Sequence, residues 1–308
     1  MAINLKTQLG KLTLQNPVMV ASGTFGYGEE YARVMDVSQL GAIITKSITL
    51  APRAGNKPPR IYETASGMLN AIGLQNVGVE AFIRDKMPFL RGLTGPKILV
   101  NLAGESVAEY VELARRLDDV PGIDGFELNI SCPNCDRGGM EFGVDPRLTR
   151  EVVRRVRRVT KRFLMPKLSP NVTDVVTIAQ HAVDGGADAL SLINTLVGIA
   201  VDATRRTPRI STVKGGLSGP AIKPVALRMV WQVHRALPKV PLVGLGGIMT
   251  AEDAAEFLLC GASAVQIGTA NYVDPKTSLT IVQGLARYAA GQKVRRVSQL
   301  VGTLRDGR

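Results

Sequence analysis

From about residue 17 onward the chain repeats one pattern: a short apolar run, a glycine or polar loop, then an amphipathic segment with helical spacing. Parallel strands need a crossover of a dozen or more residues, usually a helix, so this alternation restricts the chain to a parallel α/β fold. The predicted strands are Pro17–Ala21, Gly41–Thr45, Lys97–Asn101, Gly125–Asn129, Pro166–Leu168, Ala189–Ile193, Pro241–Gly244 and Ala264–Ile267. The predicted helices are Val107–Leu117, Pro146–Phe163, Asp174–Asp184, Pro220–Ala236, Ala251–Leu259 and Pro275–Ala290. Runs such as "KILVNL", "ALSLIN", "PLVGLGG" and "SAVQIGT" read as near-continuous apolar strands, as in a sheet buried on both faces.

Two parallel topologies compete. A doubly wound sheet would carry G-x-G-x-x-G near residue 21, but "ASGTFGYG" has the glycines at the wrong spacing, and no acidic residue ends the second strand. Eight strands in 308 residues, with no linker, predict a single (β/α)8 TIM barrel domain spanning 1–308. The opening "INLKTQLGKLTLQNP" reads as an N-terminal β-hairpin capping the bottom of that barrel.

Composition narrows the setting. Three cysteines (Cys132, Cys135, Cys260) are too few for a disulfide framework. "MAINLKTQLGKL" lacks the apolar core of a signal peptide and no run of about 18 apolar residues occurs, so a cytoplasmic protein without a membrane span is expected. The net charge of +12 is concentrated in "REVVRRVRRVTKR", residues 150–162, where valines recur at helical spacing beneath the arginines. That is an amphipathic helix with a solvated basic face; no interleaved aromatics point to nucleic acid.

In a barrel of this kind chemistry sits where the strands end. Those ends carry Ser22, Lys46, Ser47, Asn101, Asn129, Lys167, Asn194 and Thr195, with no histidine or carboxylate among them, which excludes a hydrolytic metal site. "GLGGI" (244–248) and "IGTAN" (267–271) each place glycines at a strand end just before a helix, an arrangement that binds phosphate. Lys46 and Lys167 are then either Schiff-base nucleophiles or cations facing an electron-rich cofactor ring.

The stretch "NISCPNCDRGG" adds a thiol. A C-x-x-C redox pair normally opens a helix, whereas glycine-rich loop follows here, and zinc would need two further ligands. Cys132, just past the fourth strand, is therefore a candidate nucleophile or general base, and Cys135 receives no role.

Taken together, "ASGTFGYG", "TKSIT", "GMLNAIGLQN", "ELNISCPN", "KLSPNVTD", "INTLVG", "GGLSGPAIKP", "GLGGI" and "GTAN" resemble dihydroorotate dehydrogenase, in the family's order and over nearly the whole chain. The resemblance implies an FMN-containing barrel that oxidises (S)-dihydroorotate to orotate in pyrimidine biosynthesis. It implies Cys132 as the general base taking the C5 proton while hydride passes from C6 to flavin N5. Substrate would be held by Lys46, Asn70, Ala71, Ile72, Gly73, Leu74, Asn129, Asn194 and Thr195. FMN would be lined by Ser22, Lys46, Ser47, Asn101, Asn129, Lys167, Ile193 and Gly219, with Gly246, Gly247, Gly268 and Thr269 at its phosphate. Cysteine rather than serine as the base is similar to the class 1 enzymes, and "NISCPNCDRGGMEFGVDP" and "GGLSGPAIKPVALRMVW" resemble the NAD-linked class 1B catalytic subunit more than the fumarate-linked class 1A enzyme. Class 1B implies a partner subunit carrying FAD and a 2Fe–2S cluster, NAD as final acceptor, and a homodimer core within a heterotetramer. The segment from Cys132 to Pro146 is expected to form a lid over the site. A Schiff-base aldolase using Lys167 and a non-catalytic phosphate-binding module are the readings from other classes.

Overall fold

The computed structural model describes residues 3–131 and 142–305. Eight parallel strands close a barrel: β1 Val18–Val20, β2 Ala42–Ile44, β3 Lys97–Leu102, β4 Gly125–Leu128, β5 Phe163–Leu168, β6 Leu190–Leu192, β7 Leu242–Leu245 and β8 Ala264–Ile267. Each strand pairs with the next, and β8 pairs with β1, placing Gln266 opposite Met19. The (β/α)8 expectation is met.

Around the barrel run α1 Met87–Gly92, α2 Val107–Asp118, α3 Pro146–Arg157, α4 Val175–Asp184, α5 Lys223–Ala236, α6 Ala251–Leu259 and α7 Thr277–Gly291. Local chemistry starts them. Ser106, Asp145 and Asp174 each accept a backbone N–H from the first turn of α2, α3 and α4, and Pro146 takes a first-turn position where its missing N–H costs nothing. Between β1 and β2 the chain forms only short 3₁₀ turns, at Tyr31–Arg33 and Val37–Gln39. Among the described residues no helix is long and apolar enough to cross a membrane.

The opening hairpin pairs Thr7–Leu9 with Leu12–Leu14. Leu9 and Leu14 are fully buried with Met19, Ile44, Leu99, Phe163, Met165 and Val243, so the hairpin plugs the lower end of the barrel as the sequence predicts.

One boundary differs. The helical spacing of Val152, Val156, Val159 and Phe163 predicts a helix reaching residue 163, yet α3 stops at Arg157 and Phe163 opens β5. Arg162 turns the chain: its guanidinium donates to the carbonyls of Asp118, Val120 and Ile123, and its backbone N–H to Thr160 Oγ1 at 3.0 Å. Phe163 is apolar because it fills the barrel floor. Part of the basic run is likewise structural, since Arg157 pairs with Asp188 at 2.9 Å, while Arg150, Arg154, Arg155 and Arg158 are exposed.

Insertions on the upper rim build a second sheet. Its strands are Leu196–Gly198, Gly215–Ser218, Gly67–Asn70 and Ile61–Thr64, in that order, all antiparallel. They come from the loops after β2 and β6. The expected lid rests in part on residues 132–141, outside the described residues.

Candidate active site

The upper strand ends and this second sheet enclose a cavity that opens to solvent at its mouth. Ser22, Lys46, Ser47, Asn129, Lys167, Ile193, Asn194 and Thr195 line it from the barrel, and Asn70, Ile72, Gly73 and Leu74 from the insertion after β2. Gly219, Gly246, Gly247, Gly268 and Thr269 line it from the glycine loops. Strand alternation explains the convergence: residues two apart share a face, so Asn129 follows Glu127 inward and Lys167 follows Met165.

Two expected residues stand back from the wall. Ala71 is fully buried, its N–H donated to the Arg60 carbonyl at 2.8 Å. Asn101 lies one layer down, donating through Nδ2 to Glu127 Oε1 at 2.7 Å. Cys132 and Cys135 lie outside the described residues.

The amides are held rather than loose. Asn129 Nδ2 donates to Ser47 Oγ at 3.2 Å, while the buried Asn129 Oδ1 has no partner among the described residues. Asn194 Nδ2 donates to Ser131 O at 2.7 Å, and Asn194 Oδ1 accepts from the Thr195 N–H at 2.9 Å. Asn171 braces the same corner, donating to Thr195 O at 3.1 Å.

Burial lowers the pKa of the Lys46 ammonium, and the Arg60 guanidinium adds to that, with Glu30 opposing. Lys46 is thus a cation kept at a cost, relieved by an anion in the cavity. Lys167 is also buried.

At the far end Gly246 and Gly247 adopt φ of 126° and 78°, and a Cβ on Gly247 would lie 2.8 Å from the Gly219 carbonyl oxygen. Bare backbone therefore forms this wall. Thr269 Oγ1 donates to Ser218 Oγ at 2.8 Å beside it. Amides at the start of α6 are already engaged: Thr250 Oγ1 accepts from the Asp253 N–H, and Asp253 Oδ2 from the N–H groups of Met249 and Thr250.

Three residues escape the reading of the strand ends. Gln266, in the apolar-looking run "SAVQIGT", reaches the cavity. Glu127 is a fully buried carboxylate inside the barrel just below it. Ser218 comes from the second sheet. A charged residue in "GFELN" and an amide in "AVQI" are the signals available in the sequence, since neither fits a purely apolar interior.

The cavity offers orphan amide oxygens, two lysines and a glycine-backed end. It suits a flat hydrogen-bonding ring with an anionic tail, together with a small anion.

A family model for dihydroorotate dehydrogenase matches residues 4–288. Over 301 residues the chain is 58% identical to the dihydroorotate dehydrogenase B (NAD(+)) catalytic subunit of Pelobacter propionicus, covering 98% of each chain. It is 56% identical over 301 residues to the protein of the same name in Geotalea uraniireducens, again with 98% of each covered. By sequence, barrel and strand-end residues alike, this chain belongs to the dihydroorotate dehydrogenase family.

Proposed function

We propose that the chain is the catalytic subunit of an NAD-linked dihydroorotate dehydrogenase, oxidising (S)-dihydroorotate to orotate in pyrimidine biosynthesis. The observation that carries this reading is the convergence of Lys46, Lys167, Asn129 and the glycine loop of Gly246 and Gly247 on one cavity. The relatives named above support the activity and the NAD link.

FMN fits the residues present. Ser22, Ser47, Lys167, Ile193 and Gly219 line the slot for its ring, with Asn101 and Asn129 supplying amides. Gly246, Gly247, Gly268 and Thr269 form the side-chain-free end for its phosphate. Bound there, FMN supplies the hydride acceptor that the protein's own side chains lack.

The chain's residues do the rest. Lys46 holds the substrate carboxylate, which offsets the cost of its buried charge. Asn70, the 71–74 segment, Asn129, Asn194 and Thr195 orient the pyrimidine ring through complementary donors and acceptors. Cys132 takes the C5 proton as general base. It follows Ser131, whose carbonyl and hydroxyl both accept from Asn194, at 2.7 and 3.0 Å.

This chain holds neither a four-cysteine cluster motif nor a dinucleotide fingerprint. A partner subunit with FAD and a 2Fe–2S cluster carries electrons to NAD, around a homodimer of this chain in a heterotetramer. The word "subunit" in the relatives' name supports a partner.

Anaerobic addition of dihydroorotate to the purified protein tests the reading. Bleaching of flavin absorbance with stoichiometric orotate formation is expected. A colourless protein, or borohydride trapping of substrate on Lys167, would overturn it. NAD reduction only in the presence of the partner separates the NAD-linked class from the fumarate-linked one.

A further inference from the structure

Glu127 on β4 is fully buried, yet it is surrounded by donors. Its Oε1 accepts from Asn101 Nδ2 at 2.7 Å, and its Oε2 from Ser191 Oγ at 2.9 Å and Gln266 Nε2 at 2.7 Å. Those donors stand on β3, β6 and β8, so one carboxylate ties four strands across the barrel. Asn101 lies opposite Glu127 in the β3–β4 register, and Ser191 lies opposite Lys167 in the β5–β6 register. The network therefore sits directly under the cavity floor, which Gln266 and Lys167 themselves line.

A tie of this kind is a poor way to stabilise a barrel. Burying a charge is costly, and well-packed apolar residues in place of buried ionic groups are often neutral or stabilising. What the carboxylate does supply is direction. An ionised carboxylate only accepts, so it turns the NH₂ groups of Asn101 and Gln266 toward itself and their oxygens away. Both oxygens, Asn101 Oδ1 and Gln266 Oε1, are buried and lack a partner among the described residues.

We propose that Glu127 is a positioning residue for the flavin: backed by Asn101 and Ser191, it fixes the Gln266 amide with its oxygen as the acceptor for a ring N–H and sets a negative charge beneath the cavity floor. The proposal rests on the FMN reading. Reduction adds negative charge to the ring, so Glu127 lowers the reduction potential, opposing Lys46 and Lys167. The protein would thereby keep the reduced cofactor reactive enough to pass electrons on.

The test is the two-electron potential of FMN in the purified flavoprotein, measured by dye-equilibrated reductive titration for wild type, Glu127→Gln and Ser191→Ala. Glu127→Gln removes the charge at constant shape. It should favour reduced over oxidised FMN by about tenfold, which is about 30 mV upward for a two-electron couple. Ser191→Ala keeps the charge but strips one of its donors, and should shift the potential downward. If Glu127→Gln does not fold, the Ser191→Ala shift decides alone. Unmoved potentials, or shifts in the same direction, overturn the proposal, because a purely structural tie moves stability and leaves the potential where it was. Wild-type protein without flavin overturns the FMN reading and this proposal together; loaded wild type with unmoved variants overturns this proposal alone.

Discussion

The Tyr110 hydroxyl, on α2, donates to the backbone carbonyl oxygen of Asn129 at 2.6 Å. Both groups are buried, so a helix outside the barrel holds the end of β4 three residues before Cys132. The contact aims the strand end from behind while the Asn129 side chain reaches Ser47 and the cavity. Tyr110→Phe leaves that carbonyl short of a donor and is expected to cost about 1–3 kcal/mol of stability. Denaturant unfolding of the apo-protein measures it, and an unchanged midpoint would discount the contact.

Cys132→Ala is expected to retain FMN but slow flavin reduction by dihydroorotate about 10²–10⁴-fold, the usual contribution of a positioned base. Stopped-flow reduction under anaerobic conditions reads this directly. Cys135→Ala should behave as wild type. A comparable loss in both variants would point instead to a working pair of thiols.

Lys46 makes ligand binding pH-dependent. Its folded pKa lies below the unfolded value, so between the two the unfolded chain binds the extra proton. Its charge therefore costs stability at neutral pH, and that cost fades as pH rises through the folded pKa. An anion in the cavity favours the charged form, so orotate should bind most tightly below that pKa and progressively less tightly above it. Titrating orotate against the flavin spectrum across the alkaline range checks this. Lys46→Met should bind weakly at every pH with that dependence gone, and a persisting slope would assign it to another group.

Gly247→Ala places a Cβ at 2.8 Å from the Gly219 oxygen, on a backbone with φ of 78°. Strain of about 1–3 kcal/mol must be relieved by moving the wall that takes the phosphate. FMN affinity is expected to fall about ten- to hundredfold, at about 1.4 kcal/mol per decade. Gly92→Ala, where an added Cβ meets nothing within 4 Å, is the control. Equal FMN affinity in the two variants would remove Gly247 from the site.

Phe163→Ala tests the boundary between α3 and β5. A floor residue of the barrel should cost about 3–5 kcal/mol when truncated to alanine. A loss below about 1 kcal/mol, read from chemical denaturation, would return Phe163 to a helix surface.

The strand ends are legible in the sequence because the period of apolar runs and helices is a local property. That period alone places Ser22, Lys46, Asn129, Lys167, Asn194 and the glycines of 246–247 and 268 on one rim. The family's motifs indicate what such a rim does. Residue 163 reads wrongly as helical because its spacing after Val152, Val156 and Val159 satisfies a helix, and only the barrel floor reveals which neighbours it needs.

The sequence by itself determined the class of fold, the eight strands and most of the residues at their upper ends. These follow from hydrophobic period and from side-chain alternation along each strand. Only the tertiary structure decided that residues 61–70 and 196–218 pair into one sheet walling the cavity, since antiparallel pairing across such a separation leaves no local trace. It also decided what lies beneath. Glu127 and Gln266 stand 139 positions apart in the chain, on two strands of a closed barrel, and their hydrogen bond exists because closure brings the interior faces of those strands together.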